Sequence, residues 1–371
     1  IKYIITLDSD TVLPRDTAHK LVAAMAHPLN TPEYDPVRQR VVKGFGILQP
    51  GLAEEIPRNG QGRYAGLRSS IPGNNPYSMM SSDIYQDLFG EGSFVGKGIY
   101  DVDIFMQATA NTCPENLVLS HDLLEGCYAR SGLLSEVLLY EQYPNNYLSD
   151  VARRSRWIRG DWQLLNWLKP RVRKADGARA RNPLTALSYW KLLDNLRRSL
   201  VAPSLLVLLF FTLLGVPNPV YWLGILSLIW LLPAILCITH DLLHKPLRRR
   251  LKPHLLLVGS GALKRLSGIG LNVAILPHEA GYSLKAIAVT LWRLGISRRH
   301  LSQWVSHSQD SNQARPTVAR FYQAMWLNAV GGVALIILTG QFAPQLLWIA
   351  LPIGLLWCVA PLLMSWLSRQ P

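Results

Sequence analysis

The chain has 371 residues and a net charge of +14; it is 49% hydrophobic and 17% charged, with a mean hydropathy of +0.13. That length allows one large or two ordinary domains, and that balance is too apolar for an average soluble protein. A basic chain suits nucleic acid or an anionic membrane surface; the long apolar runs described below favour the membrane and speak against nucleic acid.

In chain order, residues 1–170 read as an α/β domain. Lys2–Leu7 is predicted as a strand, Asp16–Ala26 as a helix with apolar positions at helical spacing, and Val41–Leu48 as a second strand. Residues 50–80 are rich in Gly, Pro, Asn and Ser and read as loops around a short helix. Short strands are predicted at Ser93–Val95, Leu117–Leu119 and Glu136–Glu141, and a helix over Val102–Thr109. Another helix begins near His121, and a long helical stretch, Leu148–Leu168, stops before Pro170. The chain opens on Ile1 and enters a strand at once, so the N-terminus reads as a cut edge of something longer. Cys113, Cys127, Cys237 and Cys358 show no zinc or C-x-x-C spacing, and two lie in apolar runs. No disulfide framework is expected, and the chemistry is placed in a reducing compartment.

Residues 171–198 form a basic, membrane-proximal segment with Arg171, Arg173, Lys174, Arg179, Arg181, Arg197 and Arg198. Residues 199–239 hold two predicted spans, Leu200–Val216 and Val220–Thr239, each near the roughly 20 residues that a bilayer core requires. The following loop, His240–His254, carries Lys245, Arg248, Arg249, Arg250 and Lys252 against one acid, Asp241. The positive-inside rule makes this loop cytoplasmic, and two crossings put residues 1–170 on the same side. Within 240–320, Leu255–Leu276 and Ser283–Ser306 mix basic with apolar residues and read as two helices lying in the interface. A true crossing by Leu255–Leu276 is the alternative, at the cost of burying Lys264 and Arg265. Residues 321–367 supply two further spans, Phe321–Leu338 and Gln345–Leu367.

Four patches carry candidate chemistry. Ile4–Asp10 is an apolar strand ending in Asp8-Ser9-Asp10. Strand residues alternate faces, so Asp8 and Asp10 can point the same way and offer hard oxygens to Mg²⁺ or Mn²⁺. An ordinary turn uses the same residue types. Gly90–Asp103 has four glycines in its first nine residues, which lets backbone approach a ligand closely, and Lys97 can meet phosphate or sugar hydroxyls; a flexible loop would look alike. In Ser120–Gly126, Asp122 follows a predicted strand and suits a general base; a helix cap made by Asp122 or Ser120 is the bland alternative. His121 reads as an orienting or exposed residue. In Arg153–Gln163, Arg153, Arg156 and Trp157 share a helix face, and Arg159 and Gln163 follow one turn on. Arginine suits phosphate and tryptophan a sugar ring, whereas a basic interfacial helix needs neither.

The order D-S-D, S-H-D, R-x-x-R-W and then spans resembles processive GT-A glycosyltransferases such as cellulose synthase, which carry D-x-D, T-E-D and Q-x-x-R-W. The longer patches Gly90–Asp103, Ser120–Gly126 and Arg156–Gln163, with Leu291–Leu294 and Ser297–Leu301, resemble the glucosyltransferase region of cyclic β-1,2-glucan synthases over essentially the whole chain. That resemblance implies a partial, Rossmann-like GT-A domain followed by an α-helical membrane domain, in a bacterial inner membrane with the catalytic part cytoplasmic. It implies UDP-glucose as donor, a β-glucan as acceptor, and the remaining regions of a full-length synthase as partners. Asp8 and Asp10 would hold Mg²⁺ or Mn²⁺ and the diphosphate, Asp122 would be the base of an inverting displacement, and Arg156 and Trp157 would hold pyrophosphate and acceptor. Lys97, Arg153, Arg159 and Gln163 complete the expected binding set. Arg153 stands where the general pattern has Gln, and His121 where it has Glu. The resemblance also implies a preceding nucleotide-binding half and a following phosphorylase-like region. A different processive β-glucan synthase is the nearest alternative. A non-catalytic transport component predicts polar residues inside the spans, which hold almost none. A phosphohydrolase needs more closely spaced His and Asp ligands than the sequence shows.

Overall fold

Alternating and continuous apolar runs in the first half assemble into a mixed sheet. The computed structural model describes residues 1–54, 63–68, 83–112, 114, 117–214, 217–246, 250–302 and 317–369. Strands β1 (Tyr3–Thr6) and β2 (Thr11–Val12) flank a turn, and helix α1 (Thr17–Met25) follows. β3 (Glu33–Asp35) and β4 (Arg40–Lys43) make a separate antiparallel ribbon. β5 (Ile47–Glu54), β6 (Gly98–Asp101) and β7 (Ser131–Glu141) complete a five-stranded sheet in the order β1-β6-β5-β7-β2. Only β5 and β7 run parallel; the other neighbours are antiparallel. β5 is buried from Ile47 to Ala53, as a central strand should be. Pro50, which has no N–H for a ladder bond, sits where the register shifts between Pro50 and Gly51, as proline inside a sheet is found at bulges.

Several local expectations change. The run Val41–Leu48 is two strands, not one. Gly44 breaks it at φ +62°, and a Cβ there would sit 2.0 Å from the Thr31 carbonyl oxygen, so the chain can leave the ribbon for the main sheet only through glycine. Residues 50–54, expected as loop, continue β5. The short helix expected within 50–80 is α2 (Arg63–Arg68), and residues 55–62 and 69–80 lie outside the described set. Ser93–Val95 and Leu117–Leu119 are not strands; the strand forms at Gly98–Asp101 instead. Their main-chain donors find side-chain amides: Val95 N–H bonds Gln49 Oε1 at 3.0 Å, and Leu119 N–H bonds Gln163 Oε1 at 2.6 Å. A satisfied N–H has no need of a sheet neighbour. Helices α3 (Ile84–Phe89), α4 (Val102–Thr109) and α5 (Asp122–Ala129) cover the sheet domain. α6 (Tyr147–Gln163), capped by Asn146, ends in a 3₁₀ turn over Leu164–Leu168.

The basic segment divides. Arg171–Arg173 (β8) and Arg179–Arg181 (β9) form a hairpin, and α7 (Ala186–Leu213) then runs from basic into apolar sequence without a break. α8 (Pro219–Leu243) follows. The expected helix over Leu255–Leu276 and the first part of that over Ser283–Ser306 are one helix, α9 (Leu251–Trp292), of 42 residues and about 63 Å at about 1.5 Å per residue; a π turn over Arg293–Ser297 follows, and residues 303–306 lie outside the described set. Pro277 lies inside it and should break it, since proline leaves the carbonyl four residues earlier without a donor. The Trp357 indole N–H takes that carbonyl, Val273 O, at 2.8 Å. Asn328 donates to Ala274 O at 2.6 Å and accepts from His278 N–H at 2.9 Å. The helix passes through the proline because two distant side chains replace the lost bond.

α10 (Val318–Ala324), α11 (Trp326–Phe342) and α12 (Leu347–Leu367) close the chain. Among the described residues, Ala186–Leu213, Pro219–Leu243 and Pro344–Leu367 are long and apolar enough to cross a membrane. The expected unbroken span Phe321–Leu338 is instead α10 and α11, bent by 66°, and makes a fourth only if the pair counts as one. Val207, Phe211, Leu228, Ile229, Leu236, Leu351 and Leu355 stand exposed on these helices, as lipid-facing side chains would. One apolar cluster joins the halves: Tyr64 and Tyr147 of the sheet domain pack with Leu271 and Ile275 of α9, Phe321 of α10 and Met364 of α12.

Candidate active site

The D-S-D stretch is a turn. Thr11 N–H bonds Asp8 O at 3.0 Å and the chain re-enters the sheet as β2, so strand alternation is not what orients the two carboxylates. The Asp8 side chain is 59% exposed. Lys97 reaches it from the glycine-rich loop, with Nζ 2.9 Å from Asp8 Oδ2, and also donates to Glu141 Oε1. Burial alone would lower the Lys97 pKa, but Glu141 and Asp8 outweigh it and hold it raised. Glu141 ends β7, opposite Thr11 on β2 and Glu54 on β5. Burial pushes the Glu54 carboxyl up to about 7; Arg153 opposes this, and Asp150 and Glu141 add to it.

Asp122 enters from the other side. No strand precedes it; it is the first residue of α5. Neither capping alternative is realised, because His121 occupies the cap position without a side-chain bond. Ser120 Oγ instead donates to Asp122 Oδ2 at 3.0 Å. Gly96 packs on this carboxylate: a Cβ at Gly96, whose φ is +87°, would lie 3.1 Å from Asp122 Oδ2. Burial raises the Asp122 pKa; the Ser120 bond opposes it, the Asp8 charge adds to it, and His121 and Lys97 oppose it. A raised carboxylate pKa makes a stronger base.

Helix α6 supplies the basic wall. Burial lowers the Arg156 pKa, Asp8 and Asp10 work against that, and Arg153 adds to it, so the Arg156 guanidinium senses both carboxylates of the turn. Arg153 bonds Asp150 Oδ1 at 3.1 Å and lies over the rings of Tyr143 and Trp157, at 5.0 and 4.8 Å. Trp157 is 44% exposed beside it, an open apolar face. Asp8, Asp10, Lys97, Asp122, Arg153, Arg156 and Trp157 therefore share one region. Arg159, one turn along α6 from Arg156, senses the like charge of Arg293 at the end of α9, and its Nε and Nη2 have no hydrogen-bond partner. Gln163 is buried, with one end on Leu119 N–H and the other donating to Leu301 O at 2.9 Å. In place of the ligand contact expected of it, Gln163 braces the segment that leads into Asp122.

Glu54, Glu141 and the Ser120 hydroxyl's role are not apparent from the sequence. The signal available was a carboxylate at the C-terminal end of each of two apolar strand runs. Among the described residues no group of three or more His, Cys, Asp and Glu is placed to hold a metal. Asp8 and Asp10 offer two hard oxygens, and the Lys97 ammonium on Asp8 shows that carboxylate is placed to receive a cation. The donor set fits an ion that takes the rest of its shell from phosphate oxygens and water, as Mg²⁺ does.

No family model matches the chain. It is 33% identical over 376 aligned residues to the cyclic beta-(1,2)-glucan synthase NdvB of Rhizobium meliloti. That similarity takes in all of this chain and 13% of the length of that curated relative.

Proposed function

We propose that this chain, related over its whole length to a segment of a cyclic β-(1,2)-glucan synthase as its motifs lead one to expect, is a membrane-bound inverting glucosyltransferase region. It moves glucose from UDP-glucose to a growing β-1,2-glucan. The reading places it in a bacterial inner membrane, with the sheet, as part of a GT-A fold, on the cytoplasmic side. One observation carries the chemistry: Asp122, raised in pKa and bonded to Ser120, lies within the electrostatic reach of Asp8, which Lys97 touches and Arg156 senses.

In this reading the acceptor hydroxyl gives its proton to the Asp122 carboxylate while its oxygen forms the new bond to C1 of glucose. The C1–O bond to UDP breaks, and UDP leaves with the electron pair. Ser120 orients the Asp122 carboxylate toward that proton. Arg156 neutralises part of the diphosphate charge, and Trp157 offers its exposed face to a sugar of the acceptor. Asp8 and Asp10 would hold a Mg²⁺ or Mn²⁺ ion, which would supply further positive charge at the diphosphate. Gln163 keeps the Leu119–Asp122 segment in place through two main-chain bonds.

The test is transfer of labelled glucose from UDP-glucose in membranes carrying Asp122→Asn. Transfer should be lost while UDP-glucose still binds, and linkage analysis of the wild-type product should show β-1,2 bonds. Normal elongation by the variant would remove Asp122 as the base. A product with another linkage would favour a different β-glucan synthase.

A further inference from the structure

Lys97 makes two contacts that the transfer reaction does not explain. Its ammonium lies on Asp8 and on Glu141, and both the Lys97 and the Glu141 side chains are buried. The stem has little freedom. Gly96 is pressed on Asp122, and Gly98, where a Cβ would meet the Leu48 carbonyl oxygen at 2.3 Å, begins β6 against β5. Within that reach the charge has two strong acceptors, one exposed at the turn and one buried at the end of β7. A divalent cation on Asp8 would be repelled by an ammonium left there, and charges in a partly desolvated site are weakly screened.

We infer that Glu141 is a positioning residue: it draws the Lys97 ammonium off Asp8 when a divalent cation arrives, so that Lys97 is the counter-ion of the empty turn and Glu141 its resting place in the loaded one. This rests on the proposed assignment of Asp8 and Asp10 as metal-binding. The Lys97–Glu141 pair would then set the affinity of the site for its ion without touching the sugar nucleotide.

The experiment is a Mn²⁺ titration of the whole protein in detergent, read by electron paramagnetic resonance without nucleotide. The relevant sites are those lost in Asp8→Asn. Among the described residues, Glu141→Gln leaves Asp8 as the one carboxylate in salt-bridge contact with the ammonium, and should weaken Asp8-dependent Mn²⁺ binding about ten-fold. Lys97→Met should bind Mn²⁺ at least as tightly as wild type. Lys97→Met combined with Glu141→Gln should restore the affinity that Glu141→Gln alone loses, a recovery that a misfolded single variant would not show. An unchanged affinity in Glu141→Gln overturns the inference. So does weaker binding in Lys97→Met, which would make Lys97 a support of the site. So does a double variant as weak as Glu141→Gln, which would make Glu141 a ligand. If wild type shows no Asp8-dependent Mn²⁺ signal, the metal assignment itself falls, and this inference with it.

Discussion

The turn at Asp8 and the passage of α9 through Pro277 treat polar groups in opposite ways. Around Pro277 each group freed by the proline is closed by protein: Trp357 takes Val273 O, Asn328 takes Ala274 O and the His278 N–H, and Tyr147 Oη meets His278 Nδ1 at 2.7 Å. At the turn charge is met only in part, by Lys97 on Asp8 and Ser120 on Asp122. Asp8 is largely exposed, and burial holds the Asp122 and Glu54 carboxyls above their ordinary pKa. A buried network that serves only the fold gains by satisfying every atom. A site that must receive a charged substrate retains unspent charge, at a cost to stability. Activity should therefore be lost without unfolding at one region, and stability without a change in ligand affinity at the other.

The largest separation is expected from Asp122→Asn, which should lower glucose transfer by about 10²–10⁴-fold. Its thermal midpoint should stay at or above that of wild type, since the change removes a charge that burial disfavours. A midpoint well below wild type would mean that Asp122 serves the fold. At the other region, Asn328→Ala leaves Ala274 O and the His278 N–H without their partner and should cost about 2–4 kcal/mol, read as a lower unfolding midpoint in detergent. Affinity for UDP-glucose should hold in that variant; a matching loss would show that this part of α9 positions the site.

What the sequence could show follows the same division. The gathering of Asp8, Asp10, Asp122, Arg156 and Trp157 was legible because each stands in an ordered run of residue types with a chemical purpose. The route to it was not, since alternation along a strand was the argument for Asp8 and Asp10, and a turn is what forms. Glu54 and Glu141 meet only because β5 and β7 run side by side in parallel, a pairing that no local pattern announces. Pro277 is a fair sign of a helix end by its own chemistry; Asn328 and Trp357, which cancel it, lie far along the chain. Ser93–Val95 and Leu117–Leu119 look like strands because they are short apolar runs, and Phe94 and Val118 are indeed buried, but the Val95 and Leu119 N–H groups go to Gln49 and Gln163 in place of a neighbouring strand.

A smaller effect separates the two carboxyls within the site. The Ser120 hydroxyl bonds the ionised form of Asp122 and so lowers a pKa that burial raises. Ser120→Ala removes that help, and the Asp122 pKa rises further. A base works only when ionised, so activity falls as pH drops through this pKa. The acid limb of the pH–rate profile should move to higher pH in Ser120→Ala, with the rate at alkaline pH reduced much less. A limb that stays in place would mean that another group controls it.

The smallest expected effect belongs to Glu54, and its sign distinguishes a strained carboxyl from a paired one. Its folded pKa is about 7, above the ordinary carboxylate value, because it is buried in part. The folded state therefore keeps a proton that the unfolded state releases at lower pH. Stability from this group is fully present below the unfolded pKa and is lost as pH rises through the folded one, near 7. Glu54→Gln carries no such loss, so its unfolding midpoint should exceed that of wild type at pH 8, with the gap narrowing toward pH 5. A carboxylate engaged mainly with Arg153 would give the reverse: Glu54→Gln would be less stable at pH 8, and the gap would close in acid. Measured in detergent at the two pH values, the pair of midpoints decides whether the sheet end beside Glu141 is built around a charge it keeps or a charge it suppresses.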